Sequence, residues 1–117
     1  MSPTVLIVDD HAAFRTSARA LLEADGWDVV GEATDATAGV EAARRLHPDV
    51  VLLDVRLPDV NGFDVVRQLT SNGHRPDVIV TSSSEDPLYP GRAVSCGACG
   101  FLAKHDVCGA ALDRLRS

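Results

Sequence analysis

Apolar residues are concentrated in five short runs rich in valine, isoleucine and leucine. Four of the runs are well defined, and a weaker one surrounds Val29 and Val30. Continuous apolar runs of this length are typical of strands covered on both faces, as in parallel sheets. The pattern predicts strands over residues 5–8, 28–33, 50–53, 78–80 and 101–103.

Between these runs, apolar residues recur every three or four positions, as on one face of a helix. The clear patterns are Phe14, Ala18, Leu21 and Leu22; Val40, Ala43 and Leu46; Phe63, Val66 and Leu69; and Val107, Ala111 and Leu115. Pro87, Pro90 and Gly91 confine the fourth helix to about two turns near residues 92–96. The predicted N-caps and helix stops are Asp35, Asn61 and Asp106, and Gly26 and Pro48.

The alternation of strands and helices predicts a doubly wound (βα)5 α/β fold, with helices on both faces of a five-stranded parallel sheet. We take 2-1-3-4-5 as the strand order, which is common in such sheets. The 117 residues, 45% hydrophobic and 24% charged, have the composition of one ordinary globular domain. We therefore expect a single domain over residues 1–117.

The net charge of −6 argues against a nucleic-acid-binding surface, which would be basic. No run of lysine and arginine offers a site for an anionic membrane, and no apolar stretch reaches the roughly 18 residues needed to span one. The N-terminal sequence MSPTVLIVDD lacks the basic start and long apolar core of a signal peptide. These features and the cysteine content favour a cytoplasmic protein that binds neither nucleic acid nor membrane directly.

Polar or charged residues follow four of the five predicted strands. Asp9 and Asp10 follow the first strand, Asp54 the third, Thr81 the fourth and Lys104 the fifth. The carboxyl ends of parallel strands meet at one edge of a sheet, where sites form. A lone aspartate there would be interpreted as a solvated loop residue, but five such residues together indicate a site.

Three clustered carboxylates repel one another, and a hard divalent cation removes that repulsion. Mg²⁺ prefers oxygen ligands, so we predict Mg²⁺ at the three aspartates, with the backbone carbonyl of Arg56 as a further ligand. A carboxylate beside Mg²⁺ can attack phosphorus, which makes Asp54 the candidate nucleophile. Lys104 and the Thr81 hydroxyl would contact the remaining phosphoryl oxygens.

These residues give the chain a resemblance to the receiver domain of two-component response regulators. It extends over essentially the whole chain and rests on Asp9-Asp10, on Asp54 within LLDVRLPDVNG, on Thr81, and on Lys104 within GFLAK. The sequences DDH and VVGEA are most similar to the subgroup that usually carries a helix-turn-helix output domain. The resemblance implies a flavodoxin-like fold, a histidine kinase as phosphoryl donor, and a signalling module rather than an enzyme.

The resemblance also implies a role for each site residue. Asp54 would accept the phosphoryl group, Lys104 would contact it, and Thr81 would close over it. Phe101 occupies the position of the family's rotating aromatic switch. The implied metal ligands are Asp10 and Asp54 directly, Asp9 through water, and Arg56 through its carbonyl. A homodimer or a downstream protein would contact the face formed by the fourth helix, fifth strand and fifth helix.

Several features depart from the family pattern. His105 stands where many receivers have proline, and Phe101 has no hydroxyl, so that a switch would act through packing. Pro87 and Pro90 lie where the fourth helix should begin, which alters the usual signalling surface. Because the chain ends at Ser117, we expect no output domain in it, and the chain would be either a stand-alone protein or an excised part.

Two other functions stay open, namely an aspartyl-nucleophile phosphohydrolase and an unphosphorylated receiver-like adaptor.

A motif of cysteines and one histidine has a spacing compatible with zinc binding or redox chemistry, although packing of small residues is the simpler interpretation. This motif consists of Cys96, Cys99, His105 and Cys108. We expect His11 to be solvated at the start of the first helix, with an interaction beside Asp9 and Asp10 as the alternative. We expect Trp27 and Tyr89 to be surface or loop aromatics.

Overall fold

The computed structural model describes residues 2–71 and 75–116, and in it the five predicted strands form one parallel sheet. The strands are β1 (Thr4–Val8), β2 (Asp28–Ala33), β3 (Val50–Asp54), β4 (Asp77–Ser82) and β5 (Gly100–Ala103). Their order is β2-β1-β3-β4-β5, which confirms the predicted topology. This order places β3, with Asp54 at its end, in the centre of the sheet.

Helices connect the strands as predicted. They are α1 (Ala12–Ala24), α2 (Ala36–Leu46), α3 (Gly62–Thr70), α4 (Tyr89–Ser95) and α5 (Gly109–Leu115). The short α4 begins earlier than predicted, because Pro90 lies in its first turn, where the missing N–H has no partner within the helix. Within residues 2–71 and 75–116, no helix is both long enough and apolar enough to cross a membrane.

Two of the three predicted N-caps are confirmed. The Asp35 carboxylate accepts a hydrogen bond from the backbone N–H of Ala38 at 2.7 Å, and Asn61 accepts one from Phe63 at 2.8 Å. The prediction for Asp106 is wrong, because that residue lies in a short 3-10 turn, Lys104–Asp106, ahead of α5. The first N–H of α5 is bound instead by a carboxylate from the end of α1. Asp25 accepts a hydrogen bond from Gly109 at 2.8 Å.

The sheet buries side chains on both faces and so has two cores. In β1, Leu6 and Val8 belong to the core under α2, α3 and α4, whereas Val5 and Ile7 belong to the core under α1 and α5. Side chains along a strand alternate between the faces with a period of two. At the carboxyl ends of the strands, the same alternation places four polar residues on the face of the sheet that α1 and α5 cover. They are Asp9, Asp54, Thr81 and Lys104.

Two aromatic residues expected at the surface or in loops are buried. Trp27 is 3% exposed and packs in the core under α1 and α5, with the Arg116 guanidinium 5.4 Å from its ring centroid. Tyr89 is 9% exposed and lies between Phe63 and Phe101. Trp27 lies in the loop between α1 and β2, one of the two predicted alternatives, whereas Tyr89 begins α4, so that the prediction for Tyr89 is wrong. Neither residue belongs to a periodic apolar pattern, although each completes a core formed by distant elements.

Candidate functional site

Lys104 and two buried carboxylates form the centre of the site. The Lys104 ammonium nitrogen lies 2.7 Å from Asp9 Oδ2 and 3.3 Å from Asp54 Oδ2. Asp9 and Asp54 are only 1% and 3% exposed. The 2.7 Å contact does not have hydrogen-bond geometry, so the ammonium attracts Asp9 Oδ2 mainly by charge. The Lys104 nitrogen also lies 4.9 Å from the centre of the Phe14 ring, which shields it from water on that side.

Thr81 lies directly beside Asp54. The two residues are paired across β3 and β4, and Thr81 is 1% exposed. Its hydroxyl has no hydrogen-bond partner among the residues that the structure describes. A buried hydroxyl without a partner costs about 1–3 kcal/mol, so such a group calls for a ligand or a functional role. The neighbouring Ser82 differs, since its hydroxyl accepts a hydrogen bond from the Ser84 N–H at 2.9 Å.

Asp10 and His11 complete the acidic end of the site. Asp10 is half-exposed, whereas the His11 ring is 61% exposed but turns its Nδ1 atom inward. This nitrogen lies 2.9 Å from Asp9 Oδ1 and 3.1 Å from Asp10 Oδ1. His11 is exposed at the start of α1, as predicted, but its Nδ1 atom also contacts both aspartates. This second contact is the alternative suggested by its position directly after Asp9 and Asp10.

The loop between β3 and α3 folds back onto Asp54. The Arg56 N–H donates a hydrogen bond to Asp54 Oδ1 at 3.3 Å, and Arg56 forms an isolated antiparallel bridge with Asn61. The Gly62 N–H then donates to the Val55 carbonyl at 2.7 Å. The Arg56 backbone therefore lies beside the nucleophile, and its carbonyl as a metal ligand stays a prediction.

A second carboxylate in this loop binds α2, which the sequence analysis did not foresee. Asp59 accepts hydrogen bonds from the backbone N–H of Ala36 at 2.9 Å and of Thr37 at 3.1 Å. The Ala36 N–H is the main cause that lowers the pKa of Asp59, and the donors of Thr37 lower it further. The loop that carries Arg56 is thus tied to the first turn of α2.

Burial dominates the electrostatics of Asp54. Desolvation raises the pKa of Asp54 above its ordinary value, and the nearby Asp9 charge raises it further. The Lys104 charge and the Arg56 N–H act in the opposite direction and do not cancel these effects. The site holds more negative charge than its own donors compensate, which suits a hard cation.

Residues 5–111 match the family model of the response regulator receiver domain. The chain belongs to this family. Over 104 residues it is 42% identical to the response regulator GacA of Pseudomonas viridiflava, a match that covers 86% of this chain and 47% of GacA. Over 102 residues it is 36% identical to the virulence transcription regulator BvgA of Bordetella pertussis, covering 87% of this chain and 49% of BvgA.

A solved structure supports the same assignment. The signal receiver domain of NarL from Mycobacterium tuberculosis matches with a TM-score of 0.87 and 33% identity, covering 97% of this chain and 96% of that one. The flavodoxin-like fold and the predicted family are therefore confirmed. The chain spans about half the length of the curated relatives it matches. These relatives are response and transcription regulators, so the receiver domain belongs with signalling proteins rather than enzymes, and no finding favours the adaptor or phosphohydrolase alternatives.

Phe101, the residue predicted to act as an aromatic switch, lies on the opposite face of the sheet from the site. Phe101 is half-buried against the core under α2, α3 and α4, with its ring centroid 6.1 Å from that of Tyr89. Tyr89 in turn lies 5.5 Å from Phe63, and the Arg92 guanidinium lies 4.5 Å from the centre of the Phe63 ring. Phe101 therefore contacts α4 through Tyr89, the first residue of that helix.

The cysteine motif of the receiver domain gains no support as a zinc site. Among the described residues, the one group of at least three possible metal ligands within reach of each other consists of Asp9, Asp10, His11 and Asp54. Cys96 donates to the Ala93 carbonyl at 3.2 Å, as expected for a cysteine packed on its own helix.

Proposed function

We propose that this receiver domain accepts a phosphoryl group on Asp54 from the phosphohistidine of a histidine kinase. The observation that carries the proposal is the set of donors around this carboxylate. Lys104 lies 3.3 Å from Oδ2, the Arg56 N–H lies 3.3 Å from Oδ1, and the partnerless Thr81 hydroxyl is on the adjacent strand. A buried nucleophile at the end of a central strand is held rigidly for in-line attack.

The chemistry is a transfer between two nucleophiles. A carboxylate oxygen of Asp54 forms a bond to phosphorus as the bond from phosphorus to the imidazole nitrogen of the donor breaks. The Lys104 ammonium is placed to stabilise the charge on the phosphoryl oxygens. The Thr81 hydroxyl, which has no partner before transfer, would donate to one of these oxygens.

Mg²⁺ fits this site because three carboxylates face one another and Asp54 is desolvated beside Asp9. Asp10, Asp54 and the Arg56 carbonyl would hold the ion, and Asp9 would bind one of its waters. The ion supplies positive charge that compensates both the carboxylates and the incoming phosphoryl group. Titration with Mg²⁺ should shift amide resonances at the carboxyl ends of β1 and β3, and shifts that are unchanged in Asp10→Ala would contradict this ligand set.

Thr81 and Phe101 would convert phosphorylation into a changed surface. Movement of Thr81 toward the phosphoryl group opens space behind β4, and the Phe101 ring can enter it because it carries no hydroxyl to desolvate. Since Phe101 touches Tyr89, the first residue of α4, its rotation reaches that helix directly. The output would be a second copy or a downstream protein that contacts the face formed by α4, β5 and α5.

The central test is phosphorylation of the purified chain with acetyl phosphate or a histidine kinase. One phosphoryl group per chain should be taken up, in a linkage that is stable to acid but cleaved by hydroxylamine. Asp54→Asn should abolish uptake, whereas Asp59→Asn, a change in an exposed aspartate of the same loop, should leave it detectable. Undiminished labelling of Asp54→Asn would overturn the proposal.

The switch is tested separately by amide exchange over residues 82–101, with and without beryllofluoride as a phosphoryl mimic. Amide exchange in this segment should be fast in the free domain, because α4 is short and Leu88 and Val94 are largely exposed. Exchange should slow when the mimic is bound. Equal exchange at a confirmed saturated site would favour the adaptor function over a phosphorylation switch.

A further inference from the structure

His11 adds a nitrogen atom to an otherwise all-oxygen metal site. Its Nδ1 atom lies 2.9 Å from Asp9 Oδ1, 3.1 Å from Asp10 Oδ1 and 3.9 Å from Asp54 Oδ2. One possible ligand atom from each of these four residues lies within 4.8 Å of all the others. The site therefore has three carboxylates and one imidazole, a set that differs chemically from the three carboxylates alone.

The spacing of these atoms fits a shared ion. With metal–ligand bonds of about 2.1 Å, two neighbouring ligands at a right angle are about 3.0 Å apart, and two opposite ligands about 4.2 Å apart. The distance of the His11 nitrogen from Asp10 Oδ1, a predicted direct ligand, matches the first value, and its distance from Asp54 Oδ2 falls between the two.

A nitrogen ligand changes which metal the site prefers. Mg²⁺ is a hard ion that selects oxygen, whereas Ni²⁺ and Zn²⁺ gain affinity from imidazole. We infer that His11 is a metal ligand in this receiver domain, and that it makes the phosphoacceptor site selective for first-row transition metals over Mg²⁺. This inference rests on the metal site of the proposed function and adds a ligand to it.

The position of His11 allows such binding without a rearrangement of the fold. Its ring is 61% exposed, so that a hydrated ion can approach from solvent, and its backbone N–H is held by Asp9 Oδ1 at 2.8 Å. The Lys104 ammonium lies 3.3 Å from the same Nδ1 atom. A bound ion would therefore compete with Lys104 for this nitrogen, while Lys104 keeps its contact with Asp9 Oδ2 on the far side of that carboxylate.

The experiment compares Mg²⁺ and Ni²⁺ binding by calorimetry in wild type, His11→Ala and His105→Ala, with the cysteines kept reduced. His105 is the matched control, because its ring is also exposed, at 71%, and lies 3.6 Å from the Asp106 carboxylate, outside the acidic group of the site. We expect His11→Ala to weaken Ni²⁺ at least about tenfold, since even an outer-shell partner of a metal contributes that much, and to change Mg²⁺ affinity less than about twofold. His105→Ala should change neither. With Mn²⁺, pulsed electron paramagnetic resonance should detect a coordinated nitrogen that is lost in His11→Ala.

The outcomes separate this inference from the proposed function. Equal loss of both metals in His11→Ala would mean that the ring only positions Asp9, and unchanged Ni²⁺ binding would mean that it is no ligand. Either result overturns the inference while the Mg²⁺ site stands. Nickel binding that depends on His11 in a chain that does not bind Mg²⁺ would support the inference and overturn the proposed Mg²⁺ site.

Discussion

Gly62 is the position where one added methyl group should do the most damage. A Cβ atom there would lie 2.2 Å from the carbonyl oxygen of Asp54, and 3.0 Å from both the Asp54 carbonyl carbon and the Val55 Cα. All three atoms belong to the backbone, so no side chain can rotate away. Gly62→Ala therefore forces the loop after β3 to separate from the strand that ends in the phosphoacceptor.

The magnitude follows from what this separation breaks. An ordinary carbon–oxygen contact is about 3.3–3.6 Å, so the loop must move by more than about 1 Å. That movement stretches the 2.7 Å hydrogen bond from the Gly62 N–H to the Val55 carbonyl. A buried group left without its partner costs about 1–3 kcal/mol, and overpacking costs about 1–3 kcal/mol more. After a gain of up to about 1 kcal/mol from helix propensity, we expect a net loss of about 1–5 kcal/mol.

Urea unfolding measures this loss, and Gly91→Ala is the matched control. Gly91 lies inside α4, and apart from its chain neighbours and the backbone of its own helix, no heavy atom of the described residues comes within 4 Å of a Cβ placed there. The same substitution should stabilise the domain by about 0.5–1 kcal/mol, because alanine favours a helix over glycine. The two variants should thus change the free energy of unfolding in opposite directions. A Gly62→Ala protein within about 0.5 kcal/mol of wild type would refute the reasoning, since that is the range of a neutral surface change.

Three further substitutions test other contacts. Asp54→Asn should stabilise the metal-free domain at neutral pH, because the raised pKa of Asp54 means that ionisation opposes folding. In urea titrations the gain should disappear as the pH falls below about 3.8, where the carboxyl of the unfolded chain is also neutral. A gain in stability that persists in acid would contradict this cause. Asp59→Ala should lower the urea midpoint, because Ala36 loses its acceptor, and Asp59→Asn should lower it less. Asp25→Ala should cost about 1 kcal/mol through the lost bond to Gly109, and an unchanged midpoint would mean that water replaces that cap.

The sequence alone predicts the sheet and the centre of the site well. The valine and leucine runs predict strands to within a residue or two, because a continuous apolar run can be buried on both faces only inside a parallel sheet. Asp9, Asp54 and Lys104 then meet because parallel strands end at one edge, which is a rule of topology. The contacts at 2.7 and 3.3 Å between them agree with this prediction.

Local patterns fail where the partner is distant in the chain. Asp106 has the residue type of an N-cap, yet α5 is capped by Asp25, 84 residues away from Gly109. Trp27 and Tyr89 have no periodic neighbours, so nothing in their surroundings along the chain indicates that they are buried. The sequence shows that a residue can cap a helix or fill part of a core, but not which helix end or which core it contacts.

The tertiary structure alone decides the outer parts of the site. Asp59 meets Ala36 across 23 residues, and the exposed His11 ring turns its Nδ1 atom toward Asp9. Both contacts depend on ångström-scale positions of loops, and short-range hydrogen bonds and ion pairs are lost over about 1 Å. Residue types and spacing determine that the polar residues at the strand ends lie on neighbouring strands. Only the packed fold determines the distances that decide whether the His11 nitrogen can bind a metal ion and whether Asp59 can bind the first turn of α2.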